Sequence, residues 1–175
     1  TKYNNTLDIV YEINIGEKAK IEKITFTGNK VYKDSKLKSV IISEEYKFWK
    51  FISGKKYLNE NVTSLDSRLL KNFYLNKGYL NVKINSSVAK AIDKNSFELI
   101  FNIDANERIF FNELTLTIPD DFDDKNYKKI NKLFTDLKGK PYSVNRIEKI
   151  LKIINDISIY DQNVSSEAYV EESVF

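Results

Sequence analysis

The chain repeats itself. Tyr11-Glu-Ile-Asn-Ile-Gly-Glu17 lies over Phe101-Asn-Ile-Asp-Ala-Asn-Glu107. The two are roughly 90 residues apart, and self-similarity at a fixed spacing means one supersecondary unit used more than once. The match holds without gaps from about Asn5 to Thr27. Leu7, Ile9, Val10 and Tyr11 meet Phe97, Leu99, Ile100 and Phe101, and Ile24 and Phe26 meet Leu114 and Leu116. A second stretch places Val62, Leu65 and Leu69 over Ile147, Ile150 and Ile154, with a short loop deletion between the two stretches. Few matches are identities; the apolar pattern is what recurs. At 175 residues the chain has room for two such units, each small but within the range that folds alone.

One unit reads as β-α-α-β-β. Ile24 and Phe26 alternate with polar neighbours, which is strand periodicity, and Gly28-Asn29 ends the run with residues that tolerate positive φ. Asp34 is an expected N-cap for a short helix with Leu37, Val40 and Ile41. An aromatic segment with Tyr46, Phe48, Trp49 and Phe51 follows. Asn59 or Asn61 can cap a second helix whose apolar stripe is Val62, Leu65, Leu69, Leu70 and Phe73, with Gly78 just past its end. Leu80, Val82 and Ile84 then alternate with Asn81, Lys83 and Asn85, and a turn at Asp93-Lys94-Asn95 leads to a strand from Ser96 to Asp104.

The second unit begins with a strand at Leu114, Leu116 and Ile118. One helix carries Tyr127, Ile130, Leu133, Phe134 and Leu137, stopped by Gly139 and Pro141. Another, capped by Ser143, carries Ile147, Ile150, Leu151, Ile154 and Ile157. Residues 164–171 read weakly as a strand. The expected division is the tail of one module over 1–14, a whole module over 15–104, and a module lacking its complete final strand over 105–175. The joint near Asp104 to Arg108 holds no Pro- or Gly-rich linker, which predicts restricted motion between units. A start other than Met leads us to expect a piece of a longer protein.

In this topology the last strand pairs with its hairpin partner and with the first strand. The expected sheet is mixed, of order 1-3-2, with the second strand at an edge. That edge is Leu80, Asn81, Val82, Lys83, Ile84, Asn85, Ser86, Ser87 and Val88. Its unpaired N–H and C=O groups can accept another extended chain through backbone bonds that are largely blind to sequence. The plainer alternative is that Asn81, Lys83, Asn85 and Lys90 protect an edge that binds nothing. A pure spacer is the other alternative.

Composition argues against catalysis. The chain has no His and no Cys, which removes the commonest general base and metal ligand and the strongest nucleophile. No cofactor is expected. Asp120, Asp121, Asp123 and Asp124 lack the Gly and distal Glu of a calcium loop and suit a helix N-terminus. The net charge of +3 is small and dispersed, so no nucleic acid is expected. A β-α-α-β-β run also opens some KH domains, but the loops at Ser53-Gly-Lys-Lys56 and Lys138-Gly-Lys-Pro141 lack the GXXG clamp. With 42% hydrophobic residues a packed core is expected, and no apolar run approaches the ~20 residues that span a bilayer. Phe48, Trp49 and Phe51 either form a partner-binding patch or staple their loop onto the helix pair; Phe73, Tyr74 and Tyr79 read as core.

Three segments carry a resemblance: Ile21 to Asn29, ending in Gly-Asn; the loop Phe48-Trp49-Lys50-Phe51; and the helix exit Asn72-Phe-Tyr-Leu-Asn-Lys-Gly-Tyr79. Together they resemble POTRA domains of the BamA family of outer-membrane β-barrel assembly factors, the tryptophan loop pointing to the third in the array. The second unit departs from the pattern, with Ile118-Pro119 in place of Gly-Asn, and is similar to a divergent fourth. The resemblance implies a periplasmic part of a Gram-negative outer-membrane protein. It implies accessory lipoproteins and unfolded outer-membrane proteins as partners, with strand addition along residues 80–88, and a membrane only through the rest of the parent protein. POTRA domains of related transporter barrels are the alternative membership.

Overall fold

A computed structural model describes residues 11, 18–49, 54–93, 95–118 and 123–162. The sheet of the first unit has three strands, β1 (Lys20–Asn29), β2 (Lys83–Asp93) and β3 (Ser96–Asp104). Their order is β1-β3-β2, with β1 parallel and β2 antiparallel to the central β3. Helices α1 (Asp34–Lys38) and α2 (Glu60–Leu75) lie between β1 and β2 in the chain. This is the mixed 1-3-2 sheet that the repeat predicts.

The core forms where the sheet's inner face meets α2. Ile21, Leu37, Leu70, Tyr74, Leu99, Phe101 and Ile103 are fully buried, each such side chain worth about 2 kcal/mol against leaving it in water. Phe26 and Phe101 stack across the parallel pair, their centroids 5.6 Å apart. Gly28 holds φ +83, and a Cβ there would strike the Ile103 carbonyl of the central strand. That contact is the physical content of the Gly-Asn strand end.

Helix α2 starts where expected, the Asn59 side chain accepting the Val62 N–H at 3.1 Å. Its buried stripe is rotated from the expected one. Thr63, Asp66, Leu70 and Tyr74 face the core, while Val62, Leu65 and Leu69 are half-buried flanks. The rotation is allowed because Asp66 is satisfied: its carboxylate accepts the Ile42 N–H at 2.6 Å and the Ser43 N–H at 3.2 Å. Those amides have left the helical ladder of α1, which is only five residues long. Asp34 is not its cap. Lys33 holds that position without a side-chain bond, and Asp34 instead pairs with Lys30 one turn back. Val40 and Ile41 lie beyond the helix but still pack on the core.

The second unit has its own core of Tyr127, Ile130, Ile150 and Ile154. It lies between α3 (Lys128–Leu137), entered through a 3₁₀ turn at Asp124–Tyr127, and α4 (Val144–Gln162). Asp123 accepts the Lys125 N–H at 2.9 Å and so caps that turn; Asp120 and Asp121 lie outside the described residues. The strand expected at Leu114 to Ile118 has no pairing partner among the described residues. Leu116 and Ile118 nevertheless pack on the core. In the first unit the matching strand is held by β3; the residues that would follow α4 here, 164–171 included, lie outside the described set. So does the strand expected over 1–14, Tyr11 apart.

The units meet in direct contact. Ile109 N–H donates to the Gly78 carbonyl at 2.7 Å, and Arg108 Nε donates to the Lys77 carbonyl at 2.8 Å. The Arg108 guanidinium lies over both Tyr79 and Phe110. Asn106, at φ 55, donates through Nδ2 to the Asn81 carbonyl at 2.9 Å.

Candidate functional site

The expected edge exists, but it begins later than the alternation of side chains suggests. Leu80, Asn81 and Val82 precede the strand. Val82 is buried in the core and its N–H donates to the Tyr79 carbonyl at 3.3 Å, while the Asn81 carbonyl accepts from Asn106 across the joint. These three residues carry the chain from the helix exit to the sheet. Lys83, Ile84, Asn85, Ser86, Ser87 and Val88 do lie in β2, opposite Asp104, Ile103, Asn102, Phe101, Ile100 and Leu99.

Ile84 leans on the core, whereas Lys83, Asn85 and Ser86 are exposed. The register is regular from Lys83 to Ala89 and breaks between Ala89 and Ala91 and again before Asp93. Bulges of this kind twist an edge out of pairing geometry. The flat, pairable part of the edge is therefore its first half.

The two edges of the sheet differ. The outer side of β1 is closed by its own chain. Tyr46 N–H donates to the Ile21 carbonyl at 2.6 Å and Leu58 N–H to the Ala19 carbonyl at 2.8 Å, and Lys20 forms an isolated antiparallel bridge with Tyr57. The Ile24 N–H, which also points outward, donates to the Glu45 carboxylate at 3.0 Å. Partial burial pushes that carboxyl up, but the Lys38 ammonium and the Ile24 amide outweigh it and hold its pKa below the ordinary value. The cover therefore stays charged and bonded at neutral pH. On the other side, no strand lies beyond β2 among the described residues.

Space accompanies the open edge. A cleft between α2 and β2 is lined by Thr63, Ser64, Ser67, Ile84, Asn85 and Ser86. The helix turns the small hydroxyl side chains of Thr63, Ser64 and Ser67 toward the strand, and Leu58 and Glu60 close one end of the cleft. Sequence pattern alone could not find this cleft. The expected stripe put Val62 and Leu65 on the inner face, and only the rotated register of α2 brings Thr63 and Ser67 round to β2.

The aromatic loop does not staple itself down. Phe48 is 70% and Trp49 58% exposed, and the two rings pack edge to face on each other at 4.6 Å. Phe51 lies outside the described residues. Tyr74 and Tyr79 are core residues and the half-buried Phe73 packs against the core, with Tyr32 packed edge-on against all three.

Among the described residues no group of acidic side chains is arranged to hold a metal, and no helix is long and apolar enough to cross a membrane.

Comparison with known proteins agrees with this geometry. The POTRA family model (surface antigen variable number repeat) matches residues 19–106. The chain is 27% identical over 148 residues to the outer membrane protein assembly factor BamA of Neisseria meningitidis, covering 84% of this chain and 18% of that protein. It is 30% identical over 86 residues to a putative outer membrane protein assembly factor of Treponema pallidum, covering 49% of this chain and 10% of that one. Against BamA of Buchnera aphidicola it is 25% identical over 173 residues, 98% of this chain and 26% of the relative. It thus spans about a quarter or less of these relatives' lengths. The crystal structure of Haemophilus influenzae BamA POTRA3-5 superposes with a TM-score of 0.56 at 16% identity, over 79% of this chain and 54% of that one. The fold is the same α+β arrangement, a three-stranded mixed sheet with helices on one face, and the chain belongs to the POTRA family, of the BamA type.

Proposed function

We propose that this chain is part of the periplasmic scaffold of an outer-membrane β-barrel assembly machine. In this reading residues 15–104 and 105–175 are successive POTRA modules. The first receives extended protein segments on β2, along Lys83, Ile84, Asn85, Ser86, Ser87 and Val88, with Leu80, Asn81 and Val82 leading into that edge. Unfolded outer-membrane proteins are the clients and accessory lipoproteins of the complex are the docking partners. The role is binding and positioning, without catalysis.

The observation that carries the reading is the asymmetry of the sheet: β1 is covered by Glu45, Tyr46, Tyr57 and Leu58, while among the described residues no strand lies beyond β2, which borders a cleft. An added strand bonds mostly through its backbone, so one edge can accept many sequences. That tolerance suits clients that share alternation but little else.

The test is an NMR titration of the 175-residue chain with an extended peptide taken from an outer-membrane barrel strand. Saturable, weak binding is expected, with amide shifts concentrated in Lys83 through Ala89 and none on β1. Unmoved amides at millimolar peptide would reject strand addition at this edge. The second reading, a rigid spacer, draws on the joint: the backbone and side-chain bonds from Asn76, Lys77 and Gly78 fix one unit on the other, which is what a spacer needs.

A further inference from the structure

The sealed side of the sheet carries a second surface of different chemistry. Four lysines lie over aromatic rings there, two of them exposed, Lys20 half-buried and Lys56 buried. Lys18 lies over Tyr57 and Lys20 over Tyr46, Lys56 sits between Tyr46 and Tyr57, and Lys47 lies over Trp49. Lys55 follows in the short 3₁₀ turn Gly54–Lys56. Lys18, Lys47 and Lys55 are exposed, and at the tip stand Phe48 and Trp49, paired with each other and uncovered. Of the nearby carboxylates, Glu45 is turned to Lys38 and the Ile24 N–H.

We propose that this tip is a membrane-contact site, resting on a bilayer surface that carries anionic headgroups. Three observations choose that occupant. The backbone of β1 is already bonded to its own loop, so this side offers an extended peptide no ladder to join. The cations are all lysine, a residue depleted from protein–protein interfaces, where arginine is preferred. Lysine beside tryptophan, phenylalanine and tyrosine is instead the composition of the headgroup layer: the rings sit at the boundary of the acyl chains and the ammonium groups reach anionic lipid. The cation–π pairs hold the lysine stems against the rings, so charge and aromatic surface are presented together. The site is separate from β2, and a module resting on a bilayer by this tip keeps β2 free for a client.

Trp49 is the single tryptophan of the chain, so its fluorescence reports on this site alone. The experiment titrates the 175-residue chain with vesicles of phosphatidylethanolamine and phosphatidylglycerol, and in parallel with pure phosphatidylcholine. A blue shift of Trp49, quenching by lipids brominated near the headgroup, and several-fold tighter binding to the anionic vesicles are expected. Phe48→Ser keeps the reporter and touches no core residue, and should weaken binding about tenfold, the value of one buried phenyl ring. Lys47→Glu should erase the preference for anionic lipid. An unshifted, unquenched Trp49 at low salt overturns the proposal. So does a blue shift obtained with an acidic folded protein but not with vesicles, which would assign the tip to protein docking.

Discussion

Asn76, at the end of α2 in the first unit, caps α4 of the second: its Oδ1 accepts the Asn145 N–H at 2.8 Å and the Ser143 hydroxyl at 2.9 Å. Ser143 stands at the expected N-cap position, and its carbonyl accepts the first intrahelical bond, from Ile147 at 3.2 Å. Its hydroxyl, however, donates away to Asn76, and the amide one residue into the helix is satisfied by a residue 69 positions earlier. A capping requirement internal to one unit has become a bond between two. Gly78 reinforces it, since at φ +94 it brings its backbone so close to the next unit that a Cβ would lie 2.7 Å from the Ile109 carbonyl.

Asn76→Ala should therefore act on the joint and spare both cores. Loss of the cap costs about 1 kcal/mol, and faster amide exchange is expected at Asn145 and Arg146. The angle between units should broaden, seen as smaller residual dipolar couplings for the second unit when the first is held as reference. Unchanged couplings would mean that Arg108 and Gly78 fix the angle without Asn76.

Asp66 supports a second prediction. It is completely buried and bonds only amides of the segment after α1 among its described partners. Asp66→Ala would strand one buried and one half-buried donor, each costing roughly 1–3 kcal/mol where water cannot replace the bond. A drop of about 3 kcal/mol in unfolding free energy is expected by denaturant titration, with the 40–46 segment loosened first. Asp66→Asn retains an acceptor and should lose less.

How far the sequence reached follows from the range of the interactions involved. Strand β3 and its hairpin were readable because alternation and turn residues are local signals. The Asn59 cap was readable for the same reason. The face of α2 was not. A stripe of Val62, Leu65, Leu69 and Phe73 is the more apolar choice, and burying Asp66 is favourable only because amides 24 residues upstream in sequence bond it. The start of the candidate edge was misplaced by three residues because Val82 continues the alternation of Ile84, although it belongs to the helix exit. Trp49 carried no local sign of its exposure, since an aromatic ring is equally at home in a core.

The buried phenol of Tyr74 supports a prediction about pH. Its hydroxyl lies beside the Val31 and Tyr32 amides but makes no hydrogen bond of normal geometry among the described residues, and burial pushes its pKa up to about 12. Between the ordinary value of 10.0 and about 12 the unfolded chain has lost this proton and the folded one has kept it. The unfolded state then binds fewer protons, so stability falls as pH rises, by up to about 1.4 kcal/mol per pH unit. Tyr74→Phe should flatten that slope, leaving the share of Tyr32, whose pKa burial also raises. At neutral pH the same substitution should be neutral or stabilising by up to about 1 kcal/mol, because it removes a buried hydroxyl without a partner. Urea titrations at pH 7 and pH 11 measure both effects.

The strand-addition reading makes a prediction about the ligand that needs no change to the protein. A strand turns the N–H groups of alternate residues to one side, so a peptide paired along Lys83 to Ala89 uses only one of its two alternating sets of amides. N-methylation of that set should abolish the amide shifts on β2. Methylation of the other set, which faces solvent, should leave them nearly intact. Side-chain recognition in the cleft of Thr63, Ser67 and Ile84 would behave otherwise, responding to side-chain substitutions in the peptide and little to which amides are methylated. Two peptides of identical sequence, methylated in opposite phase, thus separate backbone pairing from groove binding. Equal loss with both would count against an added strand on β2.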